Sequence, residues 1–503
     1  MVKTGVNIPQ ALMKIKQDEV LKTINALACE HRIKIYLAGG AVRDVFTRRK
    51  RPRGIEWDFA VDHNALGFGK ILARKLSASY VVLDADTRTA RVIYNTPGCG
   101  YELDITDFRA RTLREDLRRR DFTINALCCD VRKLVGAESP ENLIIDPWGG
   151  IADIRRGCIR VTRRQNIADD PLRILRGIAF CAQLDFTLEP KTRAVMKKNT
   201  VLLRRVSPER IREELAKILE VPRAFKHSKI MDCFGIWPVI IPETRLLRGV
   251  DQGGYHHLDV WGHSLQTLAQ LERILRDSSK KLPPEAAAYL QETAGADRPK
   301  IWLLKLACLL HDIAKPATRF VGDNGQVHFY THEKKGAHIA ANIGRRLKLT
   351  RKEVRILQRL VLYHLRAGQL VNRIPSKRAK FRFFRDAADE AGMILLLALA
   401  DRRAMRGPLS RPARFTFLEE ELFAMIAEFF KQRKSSRGRV SLLNGHAVMR
   451  LLNLPAGPVI GKMLRAVQEA QAVKAIRSAE EARRLVCRLY RQECRGAAAE
   501  QPA

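Results

Sequence analysis

Between residues 10 and 30 apolar side chains recur every three or four positions, the spacing of a helix with one buried face. Five short runs rich in β-branched and aromatic residues follow, at 34–37, 57–61, 80–84, 90–94 and 101–105, and these predict strands. Past the turn Asp146-Pro147-Trp148-Gly149-Gly150 the strand signal nearly vanishes. Amphipathic stretches at 172–184, 208–219, 302–314 and 352–365 take over, so the remaining two-thirds reads as helical. The pattern predicts an α+β head followed by an α-helical body. Residues 277–300, polar and carrying Pro283-Pro284, read as a long loop or insertion, and the basic run 434–439 reads as a linker. No internal repeat is present. The expected division is 1–150, 151–245, 246–410 and 411–503.

A chain of 503 residues exceeds what one compact core holds, which agrees with several domains. Lysine and arginine number 91 against 54 acidic residues, a net charge of +37, and this excess points to a polyanion such as nucleic acid. Charge alone names no partner. Cysteines at 29, 99, 128, 129, 158, 181, 233, 308, 487 and 494 form no CxxC pair and no secreted-type disulfide framework. They predict reduced thiols. The first twenty residues lack the apolar core of a signal peptide, and the longest apolar run, 393–400, is far shorter than the roughly 20 residues a membrane span needs. A cytoplasmic protein with no membrane partner is expected.

Residues 36–61 hold the densest chemistry. An apolar strand runs into Gly39-Gly40, Arg43 follows one turn later, and Glu56 and Asp58 come next. Paired glycines let backbone N–H groups approach phosphate oxygens, an arginine one turn on can hold a phosphate, and carboxylates two apart on a strand share a face. Two such carboxylates can hold two Mg²⁺ ions, which suits a phosphoryl transfer.

A second block, 116–127, packs Arg118, Arg119 and Arg120 beside Asp121 and Asn125. A third, 169–176, begins Asp169-Asp170-Pro171 and continues with apolar periodicity, which predicts a helix with Asp170 as N-cap and Pro171 at its first position. Asp170 and Arg173 would then share one helix end, where an acceptor and a donor can read the Watson–Crick edge of a base. A capped helix with a salt bridge is the plain alternative.

Taken in order, these blocks resemble the class II tRNA nucleotidyltransferase and bacterial poly(A) polymerase family, over about residues 34–215 and more weakly to near 485. The resemblance implies a DNA polymerase beta-like head, ATP and CTP as substrates, and an RNA 3′ end as acceptor. It implies that Asp170 and Arg173 select the base, that Gly39, Gly40, Arg43, Arg120, Asp121 and Arg176 line the nucleotide, and that Asn125 supports the pocket. Asp104 sits where a third acidic residue lies in this superfamily, or else pairs with a neighbouring arginine. Both readings stand at this point. One position departs from the family, which has aspartate at both metal positions where this chain has Glu56 and Asp58. The longer side chain keeps the charge and shifts the carboxylate, so it either ligates Mg²⁺ from a new position or misplaces it. Asp169 stands where the family usually has glutamate.

In the helical part, His263, His311-Asp312, His332, His364 and Asp401 follow an order that resembles the HD-domain metal phosphohydrolases. The resemblance makes His263, His311, Asp312 and Asp401 the core ligands, with His332 and His364 completing a two-metal site. Imidazole with carboxylate suits Mn²⁺, Fe²⁺, Ni²⁺ or Co²⁺. Near the end, residues 444–461 read as a helix–turn–helix-like element suited to phosphate backbone. Residues 376–385 interleave basic and aromatic side chains, which either stack on RNA or bury Phe381, Phe383 and Phe384 in a core. The expected function is template-independent addition of CMP or AMP to tRNA 3′ ends, as full CCA or part of it. Poly(A) polymerase is the near alternative, and an HD phosphohydrolase with a weakened head is the distant one.

Overall fold

The computed structural model describes residues 8–47, 54–138, 143–254, 256–277, 281–407, 412–435 and 441–499. The chain divides into two compact units, Met1–Pro242 and Glu243–Ala503.

The first unit is organised by a seven-stranded sheet. Its strands are β1 (Ile35–Ala38), β2 (Ile55–Val61), β3 (Ser79–Asp84), β4 (Thr89–Asn95), β5 (Gly100–Asp107), β6 (Cys128–Asp130) and β7 (Ile144–Ile145), in the order β3-β4-β5-β2-β1-β6-β7. β2 and β5 run parallel, and every other neighbouring pair is antiparallel. The five expected strands are all present, each within two residues of its predicted ends. β6 and β7, only three and two residues long, fall below the length at which alternation is readable. The helical pattern of 10–30 becomes two helices, Ile8–Lys16 and Glu19–Glu30, because the Asp18 carboxylate accepts the N–H groups of Val20 and Leu21 and caps the second.

Alternation along β2 decides which face of the sheet is available. Trp57, Phe59 and Val61 are buried and join a core with Leu21, Ile24, Phe68 and Leu103, while Glu56 and Asp58 stay exposed on the opposite face. The helix Ala65–Leu76 packs against β4 and β5 with Phe68 and Leu72 wholly buried.

Beyond the head the first unit is helical, with Arg173–Leu184, Pro190–Lys198, Pro208–Glu220 and Ala224–Cys233 as its main helices. The helix expected to start at Pro171 starts instead at Arg173, after a turn in which the Asp170 carbonyl accepts the Arg173 N–H. Asp170 itself ends the short helix Gln165–Asp169, and its carboxylate caps only the turn, accepting the Leu172 N–H at 3.3 Å. The cause is local: Asp169 and Asp170 close one helix before Pro171 opens the next.

The second unit is built on Val260–Asp277, Lys300–Leu310, His332–Arg346, Arg351–Leu370 and Ala391–Ala404. Lys300–Leu310 is buried along its whole length, as a helix without a polar face must be. The segment 277–300 is not a loop in its described part, since it holds the helix Glu285–Gln291 and a hairpin of Thr293–Gly295 with Arg298–Pro299. Ala286, Tyr289 and Leu290 form a buried stripe there that the surrounding polar residues mask in sequence. Residues 278–280 lie outside the described residues. The helix Pro412–Ser435 runs into the presumed linker at 434–439, of which 436–439 also lie outside them.

The stretch 376–385 resolves toward core. It forms the helix Lys377–Ala387 with Phe383 and Phe384 buried and Phe381 partly so, while Arg378 and Arg382 are paired with Glu469. The helices Gly445–Leu452 and Pro458–Ala472 make the expected helix–turn–helix around Val448, Ile460, Met463 and Val467. Among the described residues no helix is long and apolar enough to cross a membrane, and the nine described cysteines are all free thiols.

Candidate functional sites

In the head, the sheet register lines up the acidic residues. Asp58 on β2 pairs with Ala38 of β1 on one side and Asp104 of β5 on the other, and Asp104 pairs in turn with Arg91 of β4. Gly39 follows Ala38 directly with φ +67°, a conformation that favours glycine. A Cβ added there would meet Arg120 Nη1 at 3.1 Å and Asp58 Oδ2 at 3.5 Å. Gly39 donates its N–H to the Leu127 carbonyl, and Gly40 opens the helix Gly40–Thr47. The glycines, Asp58 and Arg120 therefore meet at one point. Exposed hard oxygen donors on one strand fit a divalent cation.

Asp104 satisfies both readings of its position. It stands beside Asp58, and both its oxygens accept from Arg91, at 2.7 and 2.8 Å.

Behind this face the three sequence blocks join in one buried hydrogen-bond network. Arg43 Nη1 donates to Asn125 Oδ1 at 2.8 Å, Asn125 Nδ2 donates to Asp121 Oδ1 at 3.0 Å, and Arg176 donates to Asp121 Oδ2 at 2.9 and 2.7 Å. Burial would raise the Asp121 carboxyl, yet the Arg176 charge outweighs it and holds the group below the ordinary carboxylate range. Arg43 is only 3% exposed, and its remaining donors go to Asp44. It thus orients Asn125 instead of being turned toward a phosphate, which corrects the simplest expectation for it. Phe180, which the sequence reading missed, lies against both Arg43 and Arg176, 5.2 and 5.5 Å from its ring centre. Its position four after Arg176 on one helix is the signal that was available.

Arg173 is 9% exposed, so burial pushes its guanidinium below the usual arginine range. Nη2 donates to the Arg119 carbonyl, whereas Nη1 is buried and makes no hydrogen bond. Asp170 accepts from Arg210 at 2.9 Å. Asn166 is a second residue the sequence did not reveal: its Nδ2 donates to the carbonyls of Arg118 and Arg120, fixing the arginine-rich turn. Neither Arg210 nor Asn166 carries a local signature, because each acts on residues about 40 or more positions away.

The second site is unlike the first. All six residues expected from the histidine and aspartate order come together, buried between helices. His263 Nε2 lies 2.8 Å from Asp401, His311 Nε2 3.1 Å from Asp312 Oδ2, and His332 and His364 Nε2 3.3 and 3.7 Å from Asp312 Oδ1. Two ligand sets share one carboxylate: His263, His311 and Asp312, then Asp312, His332 and His364. In His311, His332 and His364, Nδ1 faces a backbone carbonyl three residues back, at 3.0, 2.6 and 2.6 Å. Those carbonyls take the Nδ1 proton and leave Nε2 as the ligand atom, and in all three rings that atom has no hydrogen-bond partner. A divalent metal fits this donor set. Burial holds His263 and His364 below the ordinary imidazole range, while Asp312 and Asp401 outweigh burial at His311 and lift it to about 10. His311 is the ring that must release a proton for a metal to bind. Lys315, one turn after Asp312, lies 2.7 Å from its Oδ2 and was not singled out from sequence.

Matches to known proteins agree with this arrangement. The Poly A polymerase head domain matches residues 35–160, the "Probable RNA and SrmB- binding site of polymerase A" matches 185–247, and the HD domain matches 260–402. An A-adding tRNA nucleotidyltransferase of Deinococcus radiodurans is 33% identical over 90% of this chain and 94% of its own. A CC-adding tRNA nucleotidyltransferase of Thermus thermophilus is 31% identical over 88% and 91%. Among solved structures, the Thermotoga maritima CCA-adding enzyme complexed with tRNA covers 96% of this chain and 98% of its own, with a TM-score of 0.62 at 21% identity.

Proposed function

The chain belongs to the tRNA nucleotidyltransferase and poly(A) polymerase family, and from that premise we propose that it adds CMP, AMP or both to the 3′ end of tRNA without a template. CTP and ATP are the donors and pyrophosphate leaves. Related chains are named as A-adding and as CC-adding, so the proposal covers either partial reaction and the full CCA sequence. The observation that carries it is the meeting of Asp58, Gly39 and Arg120 at the mouth of the network that ends in Arg173 and Asp170.

Each residue then has a task. Glu56 and Asp58 would hold Mg²⁺, which lowers the pKa of an attacking hydroxyl and offsets charge at the phosphate. Gly39 and Gly40 let backbone approach the triphosphate, and Arg120 lies over them as a cation for its oxygens. The unpartnered Nη1 of Arg173 and the carboxylate of Asp170 supply a donor and an acceptor for the base edge. Arg43, Asn125, Asp121 and Arg176 keep that edge rigid, and Arg210 and Asn166 fix it from the neck. The expected regions are a head at 1–150, a neck at 151–245, an HD region at 246–410 and an RNA-holding body at 411–503, acting in the cytoplasm.

A second activity is favoured by the shared Asp312 and the unpartnered imidazole nitrogens. We infer that the HD site holds Mn²⁺, Fe²⁺, Ni²⁺ or Co²⁺ and hydrolyses a phosphoester, through Asp312 as the bridging ligand.

Labelled ATP offered with matched tRNA and unstructured RNA tests the first reading. Short, tRNA-dependent additions are expected, and long A tails on the unstructured RNA would favour poly(A) synthesis instead.

A further inference from the structure

Glu102 completes a square on the open face of the sheet. Glu56 and Asp58 on β2 stand in register with Glu102 and Asp104 on the parallel strand β5. With strands about 4.8 Å apart, four carboxylates form two facing pairs, and directly opposed like charges are destabilising. Four equal ligands would offer a cation more than one place to sit.

Arg91 breaks that equivalence. It stands opposite Asp104 on β4 and donates through Nε and Nη2 to both Asp104 oxygens, while Nη1 lies 3.1 Å from Glu102. The planar fork matches a carboxylate in a way a lysine ammonium does not. Its pKa is raised first by the hydrogen bond to Asp104 and then, against burial, by the charges of Asp104, Glu102 and Glu56. The contact is strong enough to compete with a cation for those two groups.

We propose that Arg91 is a positioning residue that withdraws Asp104 and Glu102 from cation binding, so that the divalent cation is held at Glu56 and Asp58, beside Gly39 and Arg120. This rests on the nucleotidyl-transfer reading of the head. It also gives Asp104 a definite role: it is held as the partner of Arg91, and it becomes a ligand only when that arginine is lost.

Titration of the full-length protein with Mn²⁺, free of tRNA and nucleotide, tests it by the paramagnetic resonance of unbound Mn²⁺. The HD site contributes equally to every head variant. Arg91→Gln is expected to bind Mn²⁺ roughly fivefold more tightly at the head, or to take an additional ion, since a unit positive charge two strands from a divalent ion is removed. Adding Asp104→Asn and Glu102→Gln to that variant returns binding to the wild-type level. Arg91→Lys, which keeps the charge and loses the fork, shows the same shift in smaller size and serves if the glutamine variant does not fold. Unchanged isotherms for both Arg91 variants, with Asp58→Asn binding less than wild type, would overturn the assignment. An unchanged isotherm for Asp58→Asn would instead remove the head cation site on which it rests.

Discussion

The head and the HD region both present carboxylates for a cation, and they do so by opposite means. The head displays them on the exposed face of a sheet, spaced by strand register and bounded by Gly39 and Arg120. The HD site buries its ligands between helices, aims each of three imidazoles with a backbone carbonyl, and lets one aspartate serve two ligand sets. An open site is completed by what binds there, whereas a closed site is complete beforehand. Substitutions in the head should therefore show in turnover, and substitutions in the HD site should show in metal retained.

The largest effect expected from that contrast is a crossed one. Asp58→Asn should lower nucleotide addition roughly a thousandfold, a few kcal/mol of lost charge stabilisation, and leave the metal content of the HD region unchanged. Asp312→Ala should do the reverse, stripping that metal while tRNA extension persists. Metal analysis and extension assays on both variants check the pair, and a loss of both properties in either one would break the comparison.

Gly39→Ala comes next. The added methyl must adopt a positive φ and displace Arg120 Nη1, so extension should fall on the order of 100-fold, as a displacement near 1 Å at reacting groups can cause. Single-turnover rates at saturating nucleotide measure it. Glu56→Asp, which restores the family's residue, should change the rate by no more than about tenfold, because an exposed side chain at an open site can accommodate one methylene.

The smallest effect separates burial from ligation. His227, in the first unit, is an imidazole buried without a ligand set, its Nδ1 unpartnered, and burial pushes it down to about 4. A depressed pKa means stability is complete above the unfolded value near 6.5 and is lost as the pH falls toward 4. That loss should be about 2–3 kcal/mol for the unit carrying His227, and His227→Gln should flatten it, as urea unfolding at several pH values would show.

How far the sequence spoke differs between the two sites for the same physical reason. The HD ligands were legible in full because each is a chemically distinctive residue on a strongly patterned helix. The strands of the head were legible because β2, β4 and β5 alternate over seven or eight residues. What could not be read was partnership at a distance. That Arg91 faces Asp104, or that Arg43 turns inward to Asn125, depends on strand order and on an 82-residue separation that no local pattern encodes. Asp170 as an N-cap failed for a local reason, since two adjacent aspartates close one helix before Pro171 can open another.

Single-nucleotide resolution of the products formed on tRNA transcripts ending before CCA, after the first C and after CC, with labelled CTP and ATP, tests the central claim most directly. The account predicts that the wild-type protein adds one, two or three nucleotides to at least one of these ends and then stops. No incorporation on any of them, with Glu56→Asp gaining activity, would contradict it and show that Glu56 has disabled the head.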